Sequence, residues 1–363
     1  MASQSHETCP YKGLPAGQYW RQSMAETAPD VIDPVLSAPF TISPQDKVAT
    51  AGSCFAQHIA KNLTLRGFNY YVAEGAPKAI PADIAYKYNY GVFSARFGNL
   101  YTARQLLQLI DRAYGRFTPA EKPWQHGDRW FDPFRPSVET EGYVSLAHYE
   151  ADLQHHLACV RTLFETLDVF VFTLGLTETW MSREDGAVFP VAPGCGYGAA
   201  DMAKYKFHNF SVGEVVADMT AFLARLKEVN PKARVVITVS PVPLIATYEH
   251  RHVLVSTTYS KSVLRVAADE IERARQHVLY FPSYEIITGP HGSGKYYGPD
   301  LRDIHPKGVD HVMRVFFKHL SSEPLDTRDA AKAASVSAPL RSATDIICDE
   351  ELLVGGANAE NNR

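Results

Sequence analysis

Two runs, D-V-F-V-F-T-L-G at 168–175 and A-R-V-V-I-T-V-S at 233–240, constrain the fold more than any other feature of this chain. Each is short, rich in β-branched and aromatic residues, and apolar at nearly every position rather than every second one. That is the pattern of a strand buried on both faces, which requires helices above and below the sheet. The intervening chain supplies them, with helical spacing of apolar residues at 103–114, 149–165, 212–229, 261–276 and 307–320. Shorter apolar runs at 47–51 and 277–282 read as further strands. Between the first of these and Gly67, the stretch 53–66 places Phe55, Ile59 and Leu63 on one face, with Gly67 as the residue that closes the helix. Strands alternating with helices need right-handed crossovers, so the expected class is α/β with a doubly wound, largely parallel sheet.

Composition narrows the function classes. Of the 363 residues, 45% are apolar and 21% charged, enough to bury a core. The 36 Lys and Arg against 40 Asp and Glu leave a net charge of -4, which offers no footprint for nucleic acid or an anionic membrane. No run approaches the roughly 18 apolar residues of a membrane span, and the N-terminus lacks the basic flank and apolar core of a secretory signal. The reading is therefore a soluble, cytoplasmic protein. Its cysteines, Cys9, Cys54, Cys159, Cys195 and Cys348, are scattered and unpaired in spacing, which suggests reduced thiols rather than a disulfide framework or a zinc cage. No metal and no cofactor is expected. A Pro- and Ser-rich leader over 1–45, a domain over 46–322 and a flexible tail over 323–363 complete the organisation.

Two stretches interrupt the alternation. Residues 86–101, dense in Tyr, Phe, Gly and Asn, read as a constrained loop. W-Q-H-G-D-R-W-F-D-P-F within 121–141 reads as an excursion whose cluster of Trp124, His126, Trp130, Phe131 and Phe134 forms either a sugar-stacking lid over a site or an aromatic patch that closes a core.

In parallel sheets ligands bind outside the carboxyl ends of the strands, so chemistry is sought there. The residues in those places are Gly52-Ser53-Cys54, Gly175-Leu176-Thr177-Glu178, Ser240-Pro241-Val242-Pro243 and, late in the chain, 300–306. Ser53, at a strand-to-helix turn, has two readings. Serine is a favoured helix cap. A serine there also lies beside unpaired backbone N–H groups that stabilise an oxyanion, and becomes a nucleophile if a base is in reach. His305, two residues after Asp303, is the natural base. Cys54 is a small buried residue on one reading and a nucleophile on the other. Thr177 and Glu178 equally suit the start of a helix.

The runs A-G-S-C-F-A at 51–56, F-G-N-L-Y at 97–101, T-L-G-L-T-E-T-W at 173–180, T-V-S-P-V-P at 238–243, Y-S-K-S at 259–262 and Y-F-P-S-Y-E-I at 280–286 resemble the GSCFA family of bacterial proteins. That family is similar to SGNH (GDSL-like) hydrolases, and the resemblance implies a flavodoxin-like three-layer α/β/α sandwich that deacylates or transacylates esters without a metal. It assigns Ser53 as nucleophile, and Gly98, or Gly91, as an oxyanion donor. Thr177 stands where the pattern has an asparagine, with Asn99 or Asn209 as supplementary donors. His305 is the implied base, with His291 as substitute. Arg302 occupies the place three residues before His305 where the pattern has aspartate, which leaves Asp303 or Asp300 to orient the imidazole. The implied substrate is a small-molecule or carbohydrate ester bearing a small acyl group, acetyl by family analogy. An O-acyltransferase using the same site, or a non-catalytic carbohydrate- or partner-binding protein on this scaffold, are the alternatives.

Overall fold

The computed structural model describes residues 9–323, 346 and 348–353. In chain order the elements are β1 (Val48–Gly52), α1 (Phe55–Leu65), α2 (Ala82–Lys87), α3 (Ala103–Ala113), β2 (Trp124–His126), β3 (Arg129–Phe131), α4 (Leu146–Thr166) and β4 (Val169–Leu174). There follow β5 (Glu178–Ser182), β6 (Val188–Phe189), β7 (Tyr205–Asn209), α5 (Val212–Val229), β8 (Arg234–Val239), α6 (Val253–Arg273), β9 (Val278–Tyr280), α7 (Ser283–Thr288) and α8 (Pro306–Leu320).

The strands anticipated from their unbroken apolar runs form one parallel sheet in the order β1-β4-β8-β9. Outside β1 the chain adds a single parallel bridge from Tyr70 to Val48, a second strand reduced to one residue. Including it, the order is that of a flavodoxin-like doubly wound sheet. Because side chains alternate across a strand, β4 feeds both faces. Phe170 and Phe172 pack with Leu106, Phe164, Phe222 and Leu264 of α3, α4, α5 and α6. Val169 and Val171 pack with Ile59, Ile286 and Phe316 of α1, α7 and α8. The result is three layers, helix on sheet on helix.

Local signals position several helices. α5 starts with a capping box in which Ser211 and Glu214 bond each other's backbone N–H. α6 begins at Val253, eight residues before the stretch in which its period is legible. Its first two turns carry Val, Ser and Thr, which are weak helix formers, and expose Leu254 and Val255. No helix among the described residues is long and apolar enough to cross a membrane.

Two small antiparallel elements were not anticipated. β5, β6 and β7 form a sheet in the order β6-β5-β7, so Glu178 begins a strand and not a helix. β2 and β3 form a hairpin. The aromatic cluster of 121–141 closes a core between these two elements: Trp124, Phe131 and Phe134 pack with Phe189 and Tyr205.

The N-terminal leader lies on α8. Ile42 N–H donates to the Leu320 carbonyl, Asp33 pairs with Lys318 and His319, and the Ile32 carbonyl lies 2.7 Å from His311 Nε2. Of the expected flexible tail, 324–345, 347 and 354–363 lie outside the described residues. The described part departs from that expectation, because Asp349 and Glu350 are buried in the domain.

Candidate active site

The carboxyl ends of β1, β4 and β8 align at Gly52, Thr173-Leu174 and Val239, and the polar residues that follow them meet at one edge of the sheet. Gly52 has φ of 132°, and a Cβ built on it would lie 2.3 Å from the Thr173 carbonyl oxygen. Only glycine passes there, and the turn it permits delivers Ser53 to the sheet edge with its N–H donating to Thr173 O at 3.1 Å. That N–H is committed to the ladder and is not an oxyanion donor.

The side chain of Ser53 is 3% exposed, and its Oγ has no hydrogen-bond partner. Ser53 does not cap α1. Cys54 is the N-cap residue, and no side chain bonds the first-turn N–H groups. Of the two readings of this serine, capping therefore does not describe the structure. An unsatisfied buried hydroxyl costs about 1–3 kcal/mol, so its presence calls for a reason.

The segment 97–101 is drawn to the same edge by backbone bonds from Leu100 N–H to Gly52 O and from Gly175 N–H to Tyr101 O. Gly98, at φ +70°, and Gly91, at φ +76°, both take left-handed conformations within or before that segment. Asn99 is buried there and donates through Nδ2 to Asp349 Oδ2 at 2.9 Å. Gly175 abuts Ser53: a Cβ on it would lie 3.0 Å from Ser53 Cβ.

Thr177 is buried nearby, but its hydroxyl donates to Asn209 Oδ1 at 2.6 Å, while its N–H donates to Ser260 Oγ. It acts as a strut between β5, β7 and α6, and its proton is not directed at Ser53. Asn209 is engaged by Thr177 and by Glu249.

Neither His305 nor the residues around it hydrogen-bond Ser53. His305 is exposed and caps α8, its Nδ1 accepting from Lys307 N–H at 3.2 Å. Asp300 accepts from the N–H groups of Arg302 and Asp303, and neither Asp300 nor Asp303 pairs with the imidazole. A helix start needs a cap, and a histidine immediately before Pro306 supplies one, which accounts for the placement. His291 packs edge-on against Tyr296 and His311.

Sequence reasoning did not single out the cation of this site. Lys261, on the inner face of α6, is 2% exposed and donates through Nζ to Gly175 O at 2.6 Å. It lines the small cavity that holds Ser53. Burial lowers its pKa to about 8. A lysine at a core position of an amphipathic helix was the available signal, since an unpaired lysine is almost never fully buried.

Also unforeseen is the chain end. Glu350 lines the Ser53 cavity and pairs with Arg302 Nη2 at 2.6 Å, and desolvation raises its carboxyl to about 7. Cys348 accepts from Arg302 at 3.6 Å and bonds Cys54, and this bond together with the guanidinium lowers its thiol to about 6. The same Cys348 contact and burial push the Cys54 thiol well up, which holds it protonated and disfavours it as a nucleophile. Among the described residues no group of three or more His, Cys, Asp or Glu side chains is arranged to hold a metal ion.

One solved structure that the chain matches is a carbohydrate esterase family 3 protein from Talaromyces cellulolyticus; the match covers 65% of this chain and 93% of that one, at 12% identity and a TM-score of 0.27. No curated protein sequence matches the chain. The model of the GSCFA family matches residues 47–316, a span that holds the whole parallel sheet, Ser53, Lys261 and His305. The chain belongs to the GSCFA family.

Proposed function

We propose that this protein cleaves esters through an acyl-enzyme on Ser53. The observation that carries the reading is the Ser53 hydroxyl itself: buried, without a partner, and held at the carboxyl edge of a parallel sheet where a helix begins. A hydroxyl in that state is free to attack; the N–H groups of Ala56 and Gln57 are bonded to the Ser53 and Cys54 carbonyls, which leaves those of Cys54 and Phe55, at the positive end of α1, as the donors for the negative charge that would develop.

Ser53 Oγ adds to the ester carbonyl and its proton passes to a base. The tetrahedral oxyanion is held by the α1 N–H groups and the Lys261 ammonium, which then leaves the Gly175 carbonyl. Collapse expels the alcohol, which takes the proton back from the base, and water releases the acyl group by the same steps. His305 is the proposed base, with Asp303 or Asp300 as its orienting partner. It lines the cavity adjoining that of Ser53, and Cys54 and Val242 form the wall common to both. A sugar hydroxyl in place of water would make the protein an acyltransferase, with no change in these roles.

A serine-directed fluorophosphonate tests the nucleophile. Incubated to completion, the full chain is expected to gain one phosphonyl group by intact mass, and the Ser53→Ala chain none. An unmodified wild type, or equal modification of both, would overturn the assignment.

A further inference from the structure

The small cavity that Ser53 lines shares wall residues with two larger ones, and the chain's own C-terminal segment contributes to all three. The space immediately beside Ser53 is only about 10 Å³, room for about one water and no acyl group. On one side lies a cavity of about 380 Å³ between the parallel sheet and β5–β7, walled by Trp180, Phe189, Val191 and Phe207. On the other lies the cavity of about 480 Å³ that His305 lines. Glu350 forms wall of both the first space and the second, Leu353 lies in the second, and Cys348 and Glu351 line the third. Residues of the segment 348–353 thus line all three spaces.

The segment is held by fitted partners rather than by general stickiness. Asp349 accepts from Asn99 Nδ2 at 2.9 Å and from the Ser137 hydroxyl, while its N–H donates to Tyr101 Oη at 3.0 Å. Glu350 bonds Arg302, and Leu352 lies against Gly196. Burying two adjacent carboxylates is costly unless each is matched. Here each is, so the groove is complementary to this sequence.

We infer that residues 348–353 are a resident inhibitor lying along the substrate's path, with Glu350 in the place of the reacting ester group and Leu353 in the place of an apolar substituent. The inference rests on Ser53 being the nucleophile. It names both a regulation and a substrate class. The site is closed until the segment leaves, and the ester it takes carries an apolar acyl chain that fills the chamber of about 380 Å³, a size that suits a ligand much larger than acetyl.

The test uses full-length chains. Asp349→Ala combined with Leu353→Asp removes two anchors without altering any residue beneath the segment, and Glu350→Ala is a second, independent release. Ser53 in either variant is expected to react with the fluorophosphonate at least about tenfold faster than in wild type. A synthetic peptide of residues 346–353, added to the variant, should slow it again, and a scrambled peptide should not. Rates equal to wild type in both variants, with Ser53→Ala silent, overturn the inhibitor and leave the nucleophile standing. No modification in any chain overturns both.

On the released variant, kcat/KM for p-nitrophenyl esters is expected to climb about fourfold per methylene from acetyl until the chamber is filled. A preference for acetyl overturns the apolar substrate class.

Discussion

Gly52 sets where Ser53 stands. The residue combines a φ that L side chains rarely adopt with a backbone approach to Thr173 that leaves no room for a methyl group. Gly52→Ala is accordingly expected to cost at least about 3 kcal/mol of stability, from backbone strain and overpacking together. The measurement is a denaturant midpoint, and a variant as stable as wild type would show that the turn relaxes. Gly52 and Ser53 were legible as a pair, since glycine then serine after an apolar run is a local signal. Lys261 was legible only in part: it lies in the run Y-S-K-S at 259–262, but that its ammonium reaches the Gly175 carbonyl depends on α6 lying beside the end of β4. For Thr177, His305 and Asp303 the spacing did not disclose the contacts they make in this structure: the Thr177 hydroxyl braces Asn209, the imidazole caps α8 and Asp303 sits in a turn with Asp300.

Among the elements, α4 has a role that its amphipathic pattern does not disclose. Asp152, on its first half, receives Arg96 at 3.0 Å and Arg135 at 2.7 Å, and Arg135 also pairs with Asp132 at 2.7 Å. Arg96 is 1% exposed and further bonds the carbonyls of Tyr88 and Val138. This cluster ties the irregular segment after α2, which carries Asn99 and Tyr101 to Ser53, onto the helix layer. Asp152→Ala leaves two buried guanidiniums short of a partner and is expected to destabilise the protein by about 3 kcal/mol, read from the urea midpoint. Asp152→Asn, which keeps the shape and loses the charge, should recover a part of that. An arginine in a loop sequence reads as solvent-exposed by default, so neither Arg96 nor Arg135 stood out before the loop was seen folded inward. The extra strands β5–β7 escaped for a related reason. They are short and half-buried, and gain their definition from pairing with each other.

For the molecule as a whole, acid should be destabilising through a buried histidine. His156 is 1% exposed with Nδ1 2.7 Å from Glu74; burial and the nearby Arg135 hold its pKa to about 4, although Glu74 opposes them. The unfolded chain takes up that proton below about pH 6.5, the native state only near 4. Stability from this group is therefore complete above about pH 6.5 and is lost as the pH falls from there to about 4, by about 3 kcal/mol over the window. Chemical denaturation at pH 7 and pH 5 should show the loss, and His156→Gln should flatten it. At this same scale the division between sequence and structure becomes clear. The sequence by itself determined the layered α/β class, the strands of the parallel sheet, most of the helices and the serine at the sheet edge, because burial on two faces and helical period are written in contiguous residues. Only the tertiary structure decided what surrounds that serine. Lys261 is more than 200 residues from Ser53, Glu350 nearly 300, and within the stretch that composition marked as free, Asp349 and Glu350 bond Asn99, Ser137 and Arg302. Such contacts depend on which elements lie side by side in space, and a pattern with a period of two or 3.6 residues has no means of recording that.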